Sequence, residues 1–257
     1  MTWCEQLEAD GYALLPAVFA PEVVAAALAE WAVVTRAHAT DDALLTGEGG
    51  PAYGARNLLD MWPRVVELVR APVLRGALRE VLGDGAGVVR ALYFDKPPGH
   101  SWALPWHKDY SVAVAAHGRT GVFTKPTVKA GVPHVIAPRD VLDRMLTVRV
   151  HLDDVTPENG PLRVVPGSHR AYRACDDESR EAVAVHCRAG DVLLMRPLVT
   201  HASGHSRTAA GRHRRIVHLE CAADAELPDG YAWKWFVTVG QLPSPLAGAG
   251  GGALRAG

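Results

Sequence analysis

The sequence predicts a mainly β fold of the α+β class, a sandwich or jelly roll preceded by helices. Apolar residues recur at helical spacing in the first third of the chain. From residue 88 onward they give way to short alternating segments separated by Gly, Pro and Asn turns. A length of 257 residues with 48% hydrophobic content suits one large domain. We therefore expect a single domain over residues 1–242 and a disordered Gly/Ala-rich tail over residues 243–257.

The first third contains the predicted helices. A short helix near Glu5 precedes a strand at residues 11–16, which ends at a proline because proline cannot donate to a β ladder. Pro21 begins an amphipathic helix that extends to about His38, and a Gly-rich loop follows at residues 41–57. Further helices, each following a proline, are expected at residues 63–70 and 72–82.

The remainder of the chain is predicted to be mainly β. Residues 145–152 alternate well between apolar and polar side chains. Residues 116–144 read as a long irregular insert, and a loop of this length in a compact domain is usually functional or disordered. We interpret it as a lid over a site. Other short strands are expected at residues 89–94, 162–165, 182–187, 191–195, 214–220 and 231–237.

The charge balance and composition exclude several classes of partner. The chain has 27 Lys and Arg against 28 acidic residues, so it lacks the basic excess that binds nucleic acid or an anionic membrane. No signal-peptide pattern or membrane-spanning apolar run is present, which predicts a cytoplasmic protein. Four scattered cysteines predict reduced thiols. The composition favours a small-molecule substrate and specifies no oligomeric state.

The candidate chemistry is concentrated in residues 105–110, where His107 and Asp109 lie two positions apart in an apolar, β-compatible run. On a strand, side chains at positions i and i+2 project from the same face. Far downstream, His201 closes another apolar segment. Two imidazoles and one carboxylate suit a non-haem Fe(II) site in which the opposite coordination positions are open to substrates and oxygen.

A second His-x-Asp pair competes for this assignment. His151 and Asp153 end a well-patterned strand and could also pair with His201. They lead into a segment with the Asp, Pro, Asn and Gly of a turn. His107, in contrast, follows a Pro-Pro-Gly loop and has aromatic neighbours, as expected at the mouth of a barrel. The residue pattern alone leaves both pairs open.

Six segments together resemble, in order and spacing, the phytanoyl-CoA dioxygenase family of Fe(II)- and 2-oxoglutarate-dependent oxygenases. The likeness covers roughly residues 5–222. It implies a double-stranded β-helix, which is a cupin-like jelly roll, flanked by N-terminal helices. It also implies Fe(II), 2-oxoglutarate and O2 as cofactors, with His107, Asp109 and His201 as the iron ligands. The segments are residues 96–99 (KPPG), 106–109 (WHKD), 152–162, 165–169 (VPGSH), 190–191 (GD) and 201–204 (HASG).

The resemblance further implies an arginine, shortly after the distal histidine, that binds the far carboxylate of 2-oxoglutarate. Arginine suits this task because its guanidinium can grip a carboxylate through two hydrogen bonds. We favour Arg214, because strands hold register while loops absorb insertions, whereas direct counting selects Arg212. Ser203 and Lys96 match family positions that help to hold the cosubstrate. Arg149 matches a nearby family position at which an aromatic can stand instead.

The activity implied by the resemblance is hydroxylation of a C–H bond in a small metabolite or biosynthetic intermediate, with release of succinate and CO2. Asp109 favours hydroxylation, because related halogenases replace this carboxylate with a small residue; desaturation and cyclisation stay open. Trp106 and Tyr110 are candidates for lining the substrate pocket. The alternatives are a catalytically silent jelly-roll binding protein and a non-oxidative enzyme with Zn or Mn at the same triad.

Overall fold

The computed structural model describes residues 1–47, 52–118, 121–173, 182–207 and 211–240. The predicted tail at residues 243–257 and Cys175 lie outside these ranges. Cys4, Cys187 and Cys221 are free thiols, as predicted. Among the helices in these ranges, none is long and apolar enough to cross a membrane.

Local sequence signals explain where the helices begin and end. Thr2 and Glu5 form a reciprocal capping box at the first helix, which ends at Gly11 in the left-handed conformation. The second and fourth helices each begin with a proline in the first turn, as predicted. Residues 63–70, predicted as a helix, contain a 3-10 helix at Pro63–Leu68. The α-helices are α1 (Trp3–Asp10), α2 (Pro21–Ala37), α3 (Leu58–Met61), α4 (Pro72–Leu82) and α5 (Arg139–Asp143).

Short strands make up most of the remaining regular structure. They are β1 (Tyr12–Leu15), β2 (Leu44–Thr46), β3 (Ala52–Ala55), β4 (Gly87–Phe94), β5 (Leu104–His107), β6 (Ser111–Ala113), β7 (Thr124–Lys129), β8 (Val132–Ile136), β9 (Met145–His151), β10 (Leu162–Val164), β11 (Val183–Val185), β12 (Val192–Met195), β13 (His201–Ser203), β14 (Ile216–Ala222) and β15 (Val237–Thr238).

Two of the three antiparallel sheets form the jelly roll. The major sheet has the order β1-β12-β9-β14-β4-β3-β2, with β15 also paired to β4. The minor sheet has the order β11-β10-β13-β5. The chain passes repeatedly between them, since β9, β12 and β14 belong to the major sheet and β10, β11 and β13 to the minor one. This winding is the double-stranded β-helix expected from the sequence.

The two faces of the major sheet differ in polarity. On β9, Leu146, Val148 and Val150 join an apolar cluster with residues of the N-terminal helices. Because side chains alternate along a strand, Thr147 and Arg149 lie on the opposite face, towards the minor sheet. Both are almost fully buried. This face of β9 is therefore polar, while neighbouring parts of the interior are apolar: Leu193 and Met195 of β12 cluster with Leu162 and Val164 of β10.

Much of the segment predicted as a long irregular insert is instead regular structure, namely β7, β8 and α5. Strands β7 and β8 form a hairpin, and β8 also pairs with β6, giving a third sheet. Phe123 and Val135 anchor it in a second apolar cluster. The prediction was wrong because β7 is exposed along most of its length and carries no alternating pattern. Residues 41–57, predicted as a loop, contain β2 and β3, and the strand predicted at 231–237 reduces to isolated bridges and the start of β15.

Candidate metal centre and cosubstrate pocket

Two paired strands of the minor sheet bring the two predicted histidines together. His107 is the last residue of β5 and His201 the first of β13, and they are direct cross-strand partners. Their ring centroids are 4.1 Å apart. Asp109 lies just beyond β5 rather than on it, and its backbone N–H donates to the Pro197 carbonyl at 2.9 Å. The convergence of the side chains thus depends on a loop as well as on strand geometry.

The three side chains form a compact cluster of potential metal ligands. The Oδ1 atom of Asp109 lies 3.7 Å from Nε2 of His107, and its Oδ2 atom lies 3.7 Å from Nε2 of His201. One donor atom from each residue lies within 4.8 Å of the others. In the part of the chain that the structure describes, no other group of three such residues meets this criterion.

Backbone hydrogen bonds orient both imidazoles. Nδ1 of His107 lies 2.8 Å from the Pro105 carbonyl, and Nδ1 of His201 lies 2.9 Å from the Val199 carbonyl. Each carbonyl fixes the proton on Nδ1, so the Nε2 lone pair is directed into the cluster. The Oδ2 atom of Asp109 is buried and accepts no hydrogen bond from the described residues. A metal ion would satisfy this oxygen and both lone pairs, so the donor set fits a two-histidine, one-carboxylate centre.

The protonation states also fit metal binding. Burial lowers the pKa of His201 to about 4, which keeps the ring neutral at pH 7. Burial would raise the pKa of Asp109, but the nearby His201, His218, His107 and Arg90 side chains hold it at about 2. The carboxylate is thus ionised at neutral pH while His201 retains its lone pair, as a metal ligand must.

The competing pair is engaged elsewhere. Asp153 accepts hydrogen bonds from Nε and Nη2 of Arg215, both at 2.7 Å. Nδ1 of His151 lies 3.3 Å from the Asp191 carbonyl, and burial lowers the pKa of this imidazole to about 3. A carboxylate held in a bidentate ion pair has a structural partner already. The geometry therefore favours the first pair as the metal centre.

Lys96, Arg149 and Arg214 form a buried cluster of cations. We call it the cosubstrate pocket because the sequence predicts that these residues hold 2-oxoglutarate. Their residue exposures are 0%, 6% and 2%, respectively. None of them is within ion-pairing distance of a carboxylate belonging to the described ranges. Burial and the two neighbouring guanidiniums lower the pKa of Lys96 to about 7. Buried charges without counterions are costly, so the pocket is complementary to an anion.

Hydrogen bonds to backbone carbonyls and one hydroxyl hold this pocket in place. Nζ of Lys96 donates to Oγ of Ser203 at 3.2 Å and also to the carbonyls of Gly160 and Gly204. Nη1 of Arg214 donates to the Gly160 carbonyl at 2.8 Å. Ser203 lies on β13 with His201, so a single strand joins the pocket to the metal cluster.

The structure separates the two candidate arginines. Arg214 is buried, whereas Arg212 is exposed. Arg215, the next residue, points the other way to Asp153, and Ile216 of β14 pairs with His151 of β9. Because side chains alternate, this pairing directs Arg214 into the interior.

Sequence reasoning missed Gly160, whose carbonyl accepts hydrogen bonds from both Arg214 and Lys96. Its φ is +68°, and an added Cβ would lie 2.4 Å from the Gly204 carbonyl oxygen. The Asn-Gly-Pro turn in the sequence is the signal that marks it. Reasoning also missed His218 and Glu220, polar residues that alternate with buried apolar ones along β14.

The aromatic candidates have different surroundings. The guanidinium of Arg163 lies 5.4 Å from the Trp106 ring centroid, and the Tyr110 hydroxyl donates to the Tyr172 carbonyl at 2.5 Å. Both are partly exposed beside the metal ligands. Phe123, in contrast, belongs to the second apolar cluster and is a core residue.

Fold and site together define a jelly-roll protein in which two histidines and one carboxylate, a donor set that could hold a metal, lie near a buried cluster of cations. The family model described as phytanoyl-CoA dioxygenase (PhyH) matches residues 7–214. The chain belongs to this family. The family predicted from the sequence motifs is thereby confirmed.

Individual relatives agree with this assignment. An ectoine dioxygenase from Bordetella bronchiseptica is 31% identical over 178 residues, which cover 68% of this chain and 51% of the relative. The match thus spans about half the length of that curated relative. The solved structure of EctD from S. alaskensis with bound Fe has a TM-score of 0.66 at 22% identity, covering 87% of this chain and 77% of EctD.

A second solved structure extends the likeness in fold. The non-heme alpha-ketoglutarate-dependent carbocyclase SnoK, from nogalamycin biosynthesis, has a TM-score of 0.64 at 19% identity. The match covers 87% of this chain and 83% of SnoK. At these levels of identity, both structures support the jelly-roll fold.

Proposed function

We propose that this protein is an Fe(II)- and 2-oxoglutarate-dependent dioxygenase that hydroxylates a C–H bond of a small metabolite or biosynthetic intermediate. Residues 1–242 would act as one catalytic domain. The observation that carries the proposal is the three-donor cluster beside a buried pocket of three cations without counterions. A dicarboxylate that also reaches a metal fits both features.

In this proposal His107, Asp109 and His201 hold the iron. When bound there, Fe(II) supplies the oxidation of the C–H bond with O2, while 2-oxoglutarate is converted to succinate and CO2. The protein's own contribution is positioning. Carbonyl-oriented imidazoles and an ionised carboxylate fix three coordination positions on one face and leave the others for small molecules.

The cosubstrate pocket would receive the far carboxylate of 2-oxoglutarate. Arg214 and Lys96 supply charge, and Ser203 supplies a hydroxyl next to Lys96. Two electrostatic interactions support a role for Arg149 between the cosubstrate pocket and the metal: Asp109 raises the pKa of Arg149, and Arg149 in turn lowers the pKa of Arg214. We assign it to the half of the cosubstrate nearer the metal.

The cosubstrate pocket also ranks the alternatives. A non-oxidative enzyme with Zn or Mn at the triad has no use for a buried anion site beside the metal. A silent binding protein would hold a ligand without needing an ionised carboxylate and two imidazole lone pairs directed at one point. Hydroxylation is the outcome we favour over desaturation or cyclisation because Asp109 retains its place among the ligands.

The proposal is tested by titrating the purified apoprotein with Fe(II) and then 2-oxoglutarate under argon. We expect the visible charge-transfer band of a keto acid chelated to iron, because both halves of the cosubstrate have binding groups. The titration needs no knowledge of the prime substrate. Iron binding without such a band would refute the keto-acid half of the proposal and leave a different metal enzyme or a silent binder.

Cosubstrate affinity is expected to decrease above pH 7. Burial and the charges of Arg214 and Arg149 lower the pKa of Lys96 to about 7, and a bound dianion favours the protonated ammonium. Above pH 7 the dissociation constant of 2-oxoglutarate should therefore rise by up to about tenfold per pH unit. The Lys96→Arg variant keeps its charge over this range, so its affinity for 2-oxoglutarate should depend little on pH. An equally steep profile in the variant would assign the titration to another group.

A further inference from the structure

A second group of cations lies close to Ser111, which is two positions after Asp109. We call Arg56, Arg90 and Lys129 the outer cation cluster. Arg90 lies on β4, Lys129 ends β7, and Arg56 follows β3. Burial lowers the pKa of Lys129, and the charges of Arg90 and Arg56 lower it further.

The outer cation cluster is attached to the backbone next to a metal ligand. Nζ of Lys129 donates to Oγ of Ser111 at 3.0 Å, and Nη1 of Arg90 donates to the Ser111 carbonyl at 3.3 Å. Ser111 follows Asp109 by two positions, so their Cα atoms are at most about 7 Å apart. The ammonium is therefore hydrogen-bonded to a residue that is two positions from a predicted metal ligand.

The charges in this cluster do not balance. Glu220 forms an ion pair with Arg90 and lies 3.5 Å from Nε2 of His218. Lys129 and Arg56 have no carboxylate within ion-pairing distance in the described ranges. Burial is the largest cause of the lowered pKa of Lys129, so this partly exposed ammonium has lost part of its hydration, although Glu220 and Asp109 act in the opposite direction. An anion placed between Lys129 and Arg56 would offset the lost hydration of Lys129 and the repulsion between the two cations.

The cluster is both accessible and fixed in position. Arg56, Lys129 and Ser111 are partly exposed, so a solute can reach them. Nδ2 of Asn57 donates to the Ala130 carbonyl at 3.0 Å, which ties the residue after Arg56 to the residue after Lys129. This hydrogen bond between adjacent residues thus fixes the segments that carry the two cations relative to each other.

We propose that Lys129 and Arg56 bind an anionic group, a carboxylate or a phosphate, of the prime substrate and so place a C–H bond of that molecule at the metal. The Arg90–Glu220 ion pair holds the floor of this subsite. The inference rests on the proposed dioxygenase function and narrows its substrates to small acids.

The test uses acetate and methylphosphonate as probes of the two anion types. Protein saturated with Fe(II) and 2-oxoglutarate under argon is titrated with each probe, and the relaxation of its methyl protons is measured by NMR. Because the iron is paramagnetic, a probe held by Lys129 relaxes faster than with the Zn(II)-loaded protein. Enhancement for acetate alone identifies a carboxylate subsite, and enhancement for methylphosphonate alone identifies a phosphate subsite.

Variants decide whether the enhancement belongs to this cluster. Lys129→Met should weaken probe binding roughly 10- to 100-fold, as expected for loss of a charged hydrogen-bond donor. Arg56→Gln is the second variant, should Lys129→Met fold poorly. The matched control is Lys234→Met, which removes the same charge from an exposed lysine whose ammonium lies over Trp235.

The charge-transfer band, recorded on the same samples, separates the two proposals. A wild-type protein without the band refutes the dioxygenase function itself. A wild-type protein with the band but without enhanced relaxation of either probe overturns the outer anion site alone. Enhancement that is unchanged in both Lys129→Met and Arg56→Gln also overturns it.

Discussion

Replacing Asp109 with alanine is expected to reduce 2-oxoglutarate turnover to below about 1% of the wild-type rate and to weaken Fe(II) binding. Altering a residue that merely supports a metal ligand typically costs 10- to 100-fold, so loss of a ligand should cost at least about 100-fold. In this chain the carboxylate is the one charged donor between two imidazoles, at 3.7 Å from each Nε2. Iron content after anaerobic loading and uncoupled succinate release measure the two effects.

The matched control for this prediction is Asp153→Ala in the competing His-x-Asp pair. Asp153 binds Arg215 and not the metal cluster, so this variant should retain iron and turnover while losing some stability. The ion pair is partly exposed, which limits its contribution to stability to about 1 kcal/mol. Retained turnover in Asp109→Ala combined with loss in Asp153→Ala would move the metal site to the second pair.

Replacing Arg214 with alanine is expected to raise the dissociation constant of 2-oxoglutarate by roughly 30-fold or more. Truncating one partner of a buried, hydrogen-bonded charge pair costs about 2–5 kcal/mol, and each 1.4 kcal/mol corresponds to a factor of ten. Arg214 is 2% exposed and directed into the cosubstrate pocket. Water therefore cannot compensate for the interaction energy lost with its guanidinium. The charge-transfer band measures the constant directly as 2-oxoglutarate is added to the Fe(II)-loaded protein.

Arg212→Ala removes the same charge two positions away and serves as the control. Its side chain is exposed, so affinity should change by less than about twofold. The dissociation constant of the Arg214→Lys variant should lie between those of Arg212→Ala and Arg214→Ala, because lysine keeps the charge but not the planar pair of donors. A large effect of Arg212→Ala with little effect of Arg214→Ala would show that the loop, rather than the strand, supplies the anchor.

Local signals in the sequence predicted much of the fold. The prolines that begin α2 and α4 and the glycine after α4 mark helix limits through backbone constraints that act within a few residues. The alternation in β9 likewise predicts a strand without reference to the rest of the chain. The hairpin formed by β7 and β8 was not predicted, because β7 is a strand through its pairing with β8 and not through a side-chain pattern of its own.

The candidate site likewise depends partly on local sequence signals and partly on tertiary pairing. The residue types at positions 107, 109 and 201, and the ordered motifs around them, pointed to the metal cluster and the family from the sequence. Which His-x-Asp pair meets His201 was decided by the pairing of β5 with β13. The His-x-Asp pattern by itself does not carry that information, since both pairs have the same residue types and spacing; in the sequence, the surrounding family motifs favoured the first pair.

What the sequence determined by itself is therefore the chemistry: the donor types, the candidate arginines, the helix limits and the family. What only the tertiary structure decided is the convergence of distant groups. Pairing between β14 and β9 directs Arg214 inward on the same interior face as Arg149, whereas Arg212 lies exposed in the segment before β14. A hydrogen bond from Asn57 to Ala130 brings together the two segments that carry Arg56 and Lys129. These contacts join residues far apart in the chain, and their energies depend on burial and register that no short segment encodes.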